Sequence, residues 1–395
     1  MSKFQEILQL GCRYLPKMPS HKLKVLGDIE KCRTAKAGHQ VRKCERCHYK
    51  HYSHLSCGSR YCTKCGSDKT RKWINQRMDD LLPVRYHMVT FTIPSRLHPV
   101  FLANEKLFVK VFFQAAAEAL KDACRYQYAG LVHIGLLMAL QTWKQNQGLH
   151  PHLHTMIPAG GFSEDYSEWI PFDKKYLVDQ KSLRRLYQCK LIDKLVGLFR
   201  KDKLMLPKEI SPFDNHFAFK RWLYGKNDEL WNVRIDLGEG SPETAFHYIG
   251  RYVYKTAISE DKIVRYDESE VVLKIKNRNT KKSETATLTL AQFLRRFLLH
   301  ILDPGITRLR YFGFLSCSLK AKAIRAAYDI FNRTTPPISE SRILKLISEI
   351  MADIERQAGW PCPNCHVGRM KFDHVIRHFH SFRLQPEVQA MPEGG

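Results

Sequence analysis

The sequence predicts an α+β protein in which a mostly antiparallel central sheet is flanked by helices. A zinc-binding domain precedes this part, and a helical region with one more cysteine knuckle follows it. Cysteine pairs cluster before residue 66, strand and helix patterns alternate through the middle, and an amphipathic pattern precedes a last cysteine pair. We expect domains at residues 1–80, 81–300 and 301–395.

The charge of the chain limits its partners. Its 395 residues include 64 Lys and Arg against 39 Asp and Glu, a formal net charge of +25. Such an excess favours a polyanion, either nucleic acid or an acidic membrane surface. We find no run of 18 apolar residues and no signal-peptide pattern, so we expect a cytoplasmic protein that contacts no membrane and binds DNA or RNA. Twelve cysteines in that setting are metal ligands or buried thiols rather than disulfides.

The zinc-binding domain is predicted from two Cys-x-x-Cys pairs that follow one or two short helices in residues 1–30. Cys44 and Cys47 form the first pair, and Cys62 and Cys65 form the second after a 14-residue connection. Each pair offers two thiolates from one tight turn, and Zn²⁺ accepts four in a tetrahedron, so we expect the two pairs to share one ion. A second metal site in this segment would draw on other residues: Cys32, His39, Cys57 and one of His48, His51 or His54.

Basic and aromatic side chains surround these cysteines. This mixture suits phosphate contacts and base stacking on nucleic acid, and the alternative is an ordinary basic surface. The residues expected to contact DNA are Arg46, Arg60, Lys64 and Arg71. The interleaved aromatic residues are Tyr49, Tyr52, Tyr61 and Trp73.

The central domain begins with a strand at residues 86–94, rich in β-branched and aromatic residues and ended by a proline. A helix at 107–125 follows, and then a hairpin whose strands are 136–140 and 148–156. Further on we expect a helix at 176–199, a strand at 231–237, a helix after Ser241, a hairpin of 271–275 with 285–289, a helix at 292–301 and a strand at 306–314.

The last part of the chain has a linker at Pro336 and Pro337, an amphipathic helix at 339–357 and a tail that is disordered beyond Gln385. The tail also holds a third knuckle, Cys362 and Cys365, which we expect to bind zinc. Candidates to complete a Cys₂His₂ set are His374, His378 and His380.

The second strand of the hairpin carries histidines at alternate positions. His150, His152 and His154 therefore share one face, because side chains alternate across a strand. Imidazoles two residues apart on a rigid strand form half a site for a divalent cation, whereas an isolated pair is often structural.

The helix after Ser241 carries two tyrosines four residues apart. Tyr248 and Tyr252 share one helix face, and Arg251 and Lys255 lie near enough to hold a phosphate. Packing tyrosines with their hydroxyls at the core edge are the alternative.

Several stretches match one known family: Gln141-Thr142-Trp143, His150-Pro151-His152-Leu153-His154, Gly160-Gly161, Tyr248-Ile249-Gly250-Arg251-Tyr252, Ala257-Ile258-Ser259, Arg296-Phe297-Leu298-Leu299-His300 and Arg308-Leu309-Arg310-Tyr311-Phe312-Gly313. Together they resemble the rolling-circle, two-tyrosine HUH transposases of the IS91 insertion-sequence family, over residues 32–315. That family usually has His where Gln141 stands, so the third metal ligand is either Gln141 or His150.

The resemblance implies an HUH nuclease domain in a bacterial, nucleoid-associated protein. It implies that Mg²⁺ or Mn²⁺ at His152 and His154 assists attack by Tyr248 or Tyr252 on single-stranded element ends. The products are a 5′-phosphotyrosine and a free 3′-hydroxyl that the host replication machinery extends, and the strand passes to target DNA. Since no P-loop is present, the energy of the broken bond stays in the covalent link.

Three other functions fit parts of the pattern. A plasmid replication initiator or relaxase uses the same chemistry and differs by the DNA beside its gene. A zinc-finger regulator predicts DNA binding with no covalent product. A metallohydrolase using three histidines lacks a nearby carboxylate base and needs no tyrosine.

Overall fold

We describe the protein from a computed structural model, which covers residues 1–173, 175–210, 212–225, 230–238, 241–253, 256–276, 280, 282–331 and 359–377, without the side chains of residues 67, 68, 71, 79 and 251. The α-helices in these ranges are α1 (Lys3–Gly11), α2 (Ser20–Lys31), α3 (Gly66–Arg77), α4 (His98–Ala103), α5 (Glu105–Gln127), α6 (Gln180–Phe199), α7 (His216–Tyr224), α8 (Pro242–Val253), α9 (Leu290–Leu298) and α10 (Lys320–Ile330). The strands are β1 (His39–Cys44), β2 (Lys50–His54), β3 (Tyr86–Thr92), β4 (Gly135–Trp143), β5 (Leu149–Pro158), β6 (Gly160–Phe162), β7 (Trp169–Pro171), β8 (Val233–Asp236), β9 (Ile263–Tyr266), β10 (Glu270–Lys276), β11 (Ser283–Thr289), β12 (Leu309–Gly313), β13 (Trp360–Pro361) and β14 (Arg369–Ile376).

The elements predicted for the central part of the chain are confirmed. The first strand is β3, the long helix is α5, and the histidine hairpin is β4 and β5. The later helices, hairpin and strands correspond to α6, β8, α8, β10 with β11, α9 and β12. The predicted helix at 339–357 and the tail beyond Gln385 lie outside the described residues.

Contacts divide the chain into two compact units that interleave along the sequence. The first unit takes residues 1–66, 258–301 and the described residues within 334–395. The second takes the described residues within 67–257 and 302–333. The predicted domains 1–80, 81–300 and 301–395 stay predictions.

The first unit contains two antiparallel sheets. One has the order β13-β14-β1-β2, and the other has the order β11-β10-β9. The helix α1 begins with a capping box, in which Ser2 accepts from the Gln5 amide and the Gln5 side chain accepts from the Ser2 amide. Its Phe4 packs against Phe293 and Phe297 of α9, at ring centroid distances of 6.1 and 4.6 Å.

The second unit is built on a five-stranded antiparallel sheet of order β12-β4-β5-β3-β8. One face packs on α5 and α6, through residues such as Phe112 and Leu191. The other face packs on α3, α8 and α10, through residues such as Trp73 and Ile249. Because helices cover both faces, every residue of β4 is buried, and Leu136 to Leu140 read as a continuous apolar run rather than an alternating one. The predicted α+β fold with a mostly antiparallel sheet flanked by helices is confirmed.

Among the described residues, no helix combines the length and the apolar character needed to span a bilayer.

Candidate active site and zinc centres

The histidines of β5 lie at the centre of the five-stranded sheet. His152 pairs with Gln141 of β4 on one side and with Thr92 of β3 on the other. Directly paired residues project to the same face, so these side chains lie together on the face that packs on α8. His152 and His154 are 8% and 7% exposed, and their ring centroids are 4.7 Å apart. The sequence-based prediction that they share a face is confirmed.

The backbone fixes the tautomer of His152. Its Nδ1 lies 2.7 Å from the carbonyl oxygen of His150. A carbonyl only accepts hydrogen bonds, so Nδ1 carries the hydrogen, and in the neutral ring Nε2 carries the lone pair. Metal-binding histidines are usually held in this way: the ring nitrogen that does not bind the metal donates its hydrogen to a carbonyl or a carboxylate. His152 therefore suits a cation that binds at Nε2.

Gln141 and His150 are the two candidates for a third ligand. The Nε2 of Gln141 donates to the carbonyl oxygen of Trp143 at 3.1 Å. Its buried Oε1 accepts no hydrogen bond from any residue that the structure describes. A buried amide oxygen in this state is unfavourable unless water or a cation meets it, and it is a hard oxygen ligand. The ring of His150 is 5.1 Å from that of His152 but is more exposed. Of the two candidates, Gln141 is the better buried.

The helix α8 places both tyrosines over the histidines. The ring of Tyr252 stacks on that of His154, with centroids 3.7 Å apart and an interplanar angle of 20°. Tyr248 meets the same histidine edge-on at 6.5 Å, and the two tyrosine rings are 5.3 Å apart. Two residues predicted to share a helix face are thus brought to one histidine.

Close packing against α3 fixes the position of α8. A Cβ on Gly250 would lie 2.6 Å from both Cγ1 and Cδ1 of Ile74 in α3, so any larger residue would force Ile74 or α8 to shift. One turn earlier, Phe246 stacks on Trp73 at 4.9 Å. Trp73 is 7% exposed, so its predicted role in base stacking is wrong. Its apolar ring is used instead to hold α8 against α3.

The predicted DNA contacts fall in different settings. Arg46 is exposed, Arg60 is half-buried, and the Lys64 ammonium donates to Gln5 Oε1 at 3.1 Å. Lys255, Tyr254 and the side chains of Arg71 and Arg251 lie outside the described residues.

Cys62 and Cys65 form the first zinc centre with Cys32 and Cys57. The four Sγ atoms lie within 4.8 Å of one another, with Cys65 at 3.6 Å from Cys32 and 3.8 Å from Cys57. Zn–S bonds of 2.3 Å in a tetrahedron place the sulfurs about 3.8 Å apart, so this group fits zinc. The prediction that the 62/65 pair shares an ion with the 44/47 pair is wrong.

Cys44 and Cys47 belong to a second group with Cys362 and Cys365. Cys44 lies 3.8 Å from Cys365, and Cys47 lies 3.6 Å from Cys362. The proposed Cys₂His₂ set at the tail is wrong as well, because cysteines complete the group and His374 is outside it. The other two histidines proposed for that set, His378 and His380, lie outside the described residues, while His39, His48, His51 and His54 join neither group.

Hydrogen bonds in the knuckles favour thiolate ligands. The amides of Arg46 and Cys47 both donate to Cys44 Sγ at 3.4 Å. The pKa of Cys47 is lowered to about 6, chiefly by a backbone hydrogen bond from Tyr49. In the first centre the pKa of Cys62 is raised to about 12, chiefly by its contact with Cys32. Four crowded sulfurs resist holding four negative charges alone, and a divalent cation removes that resistance.

Comparison with known proteins gives matches over most of the chain. A family model described as "Putative transposase" matches residues 135–323, and one described as "Transposase zinc-binding domain" matches residues 4–93. The chain is 31% identical over 349 residues to "Putative transposase y4qJ" of Sinorhizobium fredii, covering 88% of this chain and 87% of that protein. It is 26% identical over 291 residues to "Transposase for insertion sequence element IS801" of Pseudomonas savastanoi pv. phaseolicola, covering 73% of this chain and 68% of that protein. No solved structure gives a significant match.

Proposed function

The chain belongs to the IS91 family of transposases, and from this we propose that it cuts single-stranded DNA ends and transfers them through a covalent tyrosine link. The observation that carries the proposal is the stacking of Tyr252 on His154, at 3.7 Å between ring centroids. It supports a tyrosine nucleophile beside a cation site, because the ring that carries the hydroxyl is held against a residue that would bind the cation.

The proposed step is a transesterification. The tyrosine oxygen forms a bond to phosphorus, the bond from phosphorus to the 3′ oxygen breaks, and the proton lost by tyrosine is balanced by the one gained at the 3′ hydroxyl. A 5′-phosphotyrosine keeps the energy of the broken phosphodiester, so no nucleotide is consumed. With Tyr248 and Tyr252 both against His154, a second strand can be cut before the first link is resolved.

His152, His154 and Gln141 are the residues that would hold Mg²⁺ or Mn²⁺, with His150 the alternative to Gln141. The bound cation would polarise a non-bridging phosphate oxygen and orient the phosphate. The chain itself prepares the site by fixing His152 as the Nδ1–H tautomer and by burying the Gln141 amide.

The N-terminal four-cysteine centre is a zinc site, since a zinc-binding family model covers it and its sulfurs are spaced for zinc. We place Zn²⁺ at the second four-cysteine group as well. The surroundings of these centres would recognise element ends and target DNA. The proposed setting is the bacterial cytoplasm, where the host replication machinery extends the free 3′ hydroxyl.

The test is a direct search for the covalent product. The purified full chain is incubated with labelled single strands that carry the DNA ends flanking its gene, with Mg²⁺ present, and is run on a denaturing gel. We expect a labelled band at the size of protein plus DNA that requires Mg²⁺ and single-stranded substrate. A protein that binds the strands tightly and forms no such band would be a non-catalytic regulator, and the proposal would fail.

A further inference from the structure

The C-terminal segment forms half of the sheet that the N-terminal zinc-binding segment begins. The strand β14 pairs with β1 over six residues, and β13 pairs with β14. The cysteines of both segments close the second zinc group. Residues contributed by β14 therefore belong to the surface of the N-terminal module.

Three lysines form one row across this sheet. In the register of the strands, Lys43 of β1 lies directly opposite Lys50 of β2 and Lys371 of β14. Directly opposite residues project from the same face, so the row crosses three strands on one face. All three side chains are exposed. Tyr52 lies on the same face, because it is two residues from Lys50 along β2 and pairs with Val41, which is two residues from Lys43 along β1. The side chain of Tyr52 is 52% exposed.

The row costs stability in the free protein. Like charges directly opposite on neighbouring strands repel one another. One acidic group offsets the row, because Glu45 pairs with Lys371 at 2.8 Å. Lys43 and Lys50 make no ion pair with any residue that the structure describes. A line of cations held in register suits a ligand with a line of anions.

We propose that this lysine face, formed by Lys43, Lys50, Lys371 and Tyr52, binds the phosphate backbone of single-stranded DNA, with a base stacked on Tyr52. Lysines that track phosphates beside an exposed aromatic ring are the usual means of holding a single strand. The inference rests on the proposed function and deepens it by naming a DNA contact outside the cleavage site. It also assigns the C-terminal strand to DNA recognition, through Lys371.

The test measures the salt dependence of binding. Full-chain protein is titrated onto fluorescein-labelled oligo(dT) at several salt concentrations, and the association constant is read from anisotropy. Each of K43Q, K50Q and K371Q should lower the slope of log K against log[salt] by about 0.7, and the triple variant should lower it by about 2. Y52A should weaken binding with the slope unchanged.

Two controls separate this role from an ordinary basic surface. Phe372 is 57% exposed on the opposite face of the same sheet, as its pairing with Arg42 shows, so F372A should leave affinity unchanged. K43Q should raise the thermal midpoint while it weakens binding, because it removes repulsion. Zinc content should stay at the wild-type value in every variant.

The result that overturns the proposal is a triple variant with full zinc and an unchanged salt slope. The single-strand assignment would be overturned if the lysine variants lost equal affinity for duplex and single-stranded DNA and Y52A had no effect on binding. The covalent-adduct assay is read separately with saturating DNA. If covalent adducts form but the triple variant keeps the wild-type salt slope, only the lysine-face proposal is rejected. If the triple variant has a reduced slope but neither it nor the wild-type protein forms adducts, only the cleavage proposal is rejected.

Discussion

The ring of Tyr252 lies flat against the ring of His154, 3.7 Å between centroids. One residue comes from a helix and the other from the central strand of the sheet, about a hundred positions apart in the chain. Their contact joins the two motifs that sequence patterns identify separately. Removal of the tyrosine hydroxyl leaves the stacked ring in place, which makes Tyr→Phe a clean test of chemistry.

We expect Y248F and Y252F each to block transposition, and the double variant to form no covalent DNA adduct. The fold should be kept, because ring volume and stacking on His154 are unchanged. Peptide mapping of the trapped wild-type adduct should find the nucleotide on Tyr248 or Tyr252. Y254F is the matched control and should stay active, because the family resemblance assigns the nucleophile role to Tyr248 and Tyr252 and not to Tyr254. A nucleotide on any other residue would end the two-tyrosine mechanism.

The proposed cation site predicts a graded series of effects at Gln141. H152A or H154A should abolish cleavage and leave DNA affinity largely intact, because the basic surface is unchanged. Q141H should cleave, since imidazole also binds Mn²⁺, whereas Q141L should lose both cleavage and Mn²⁺ affinity. Single-turnover cleavage and Mn²⁺ titration of the purified proteins measure both effects. If H150A loses Mn²⁺ while Q141L keeps it, His150 is the third ligand instead.

The two cysteine groups predict how zinc is lost. Wild-type protein should carry two zinc ions per chain. C44S with C362S should lose one ion, because both residues serve the same group, and C44S with C62S should lose both. Elemental analysis of the folded proteins decides the matter. The reverse pattern would restore the pairing of the two N-terminal knuckles that local spacing suggests.

The tight contact under α8 predicts a packing effect on catalysis. G250A forces a Cβ to within 2.6 Å of Ile74, so it should destabilise the protein by about 1–3 kcal/mol and lower adduct formation. The double variant G250A with I74A should recover part of both losses, because the clashing side chain is gone. Denaturant unfolding and the adduct assay are measured on the wild type, the two single variants and the double variant, which together form a double-mutant cycle. Strict additivity would show that Ile74 is not the cause.

Local patterns were enough to predict most of the elements. Burial leaves a pattern over a few residues, and that pattern predicts the type of element. Examples are the β-branched residues of β3, the apolar spacing of α5 and the alternating histidines of β5. The i, i+4 spacing of Tyr248 and Tyr252 placed them on one helix face for the same reason. Trp73 escaped this approach, because an aromatic residue among lysines reads as exposed until Phe246 is seen to cover it.

The cysteine pairing could not be predicted by spacing. Two knuckles in one segment offer four thiolates whichever ion each pair joins, and spacing carries no information about a third knuckle more than three hundred residues away. The signal in the sequence that pointed to the correct grouping was the presence of two further cysteines, Cys32 and Cys57, before Cys62 and Cys65. The buried state of Gln141 was equally hidden, because it depends on α8 covering the sheet.

The pairing of β1 with β14 also sets an order of events during synthesis. Cys44 and its partner Cys365 are 321 residues apart, so a ribosome making 5–20 residues per second takes about 15–65 s between them. Until then β1 lacks β14, and the second four-cysteine group has only Cys44 and Cys47. The segment made first is thus among the last to be completed, and a nascent or prematurely ended chain carries the tyrosines without the finished lysine row.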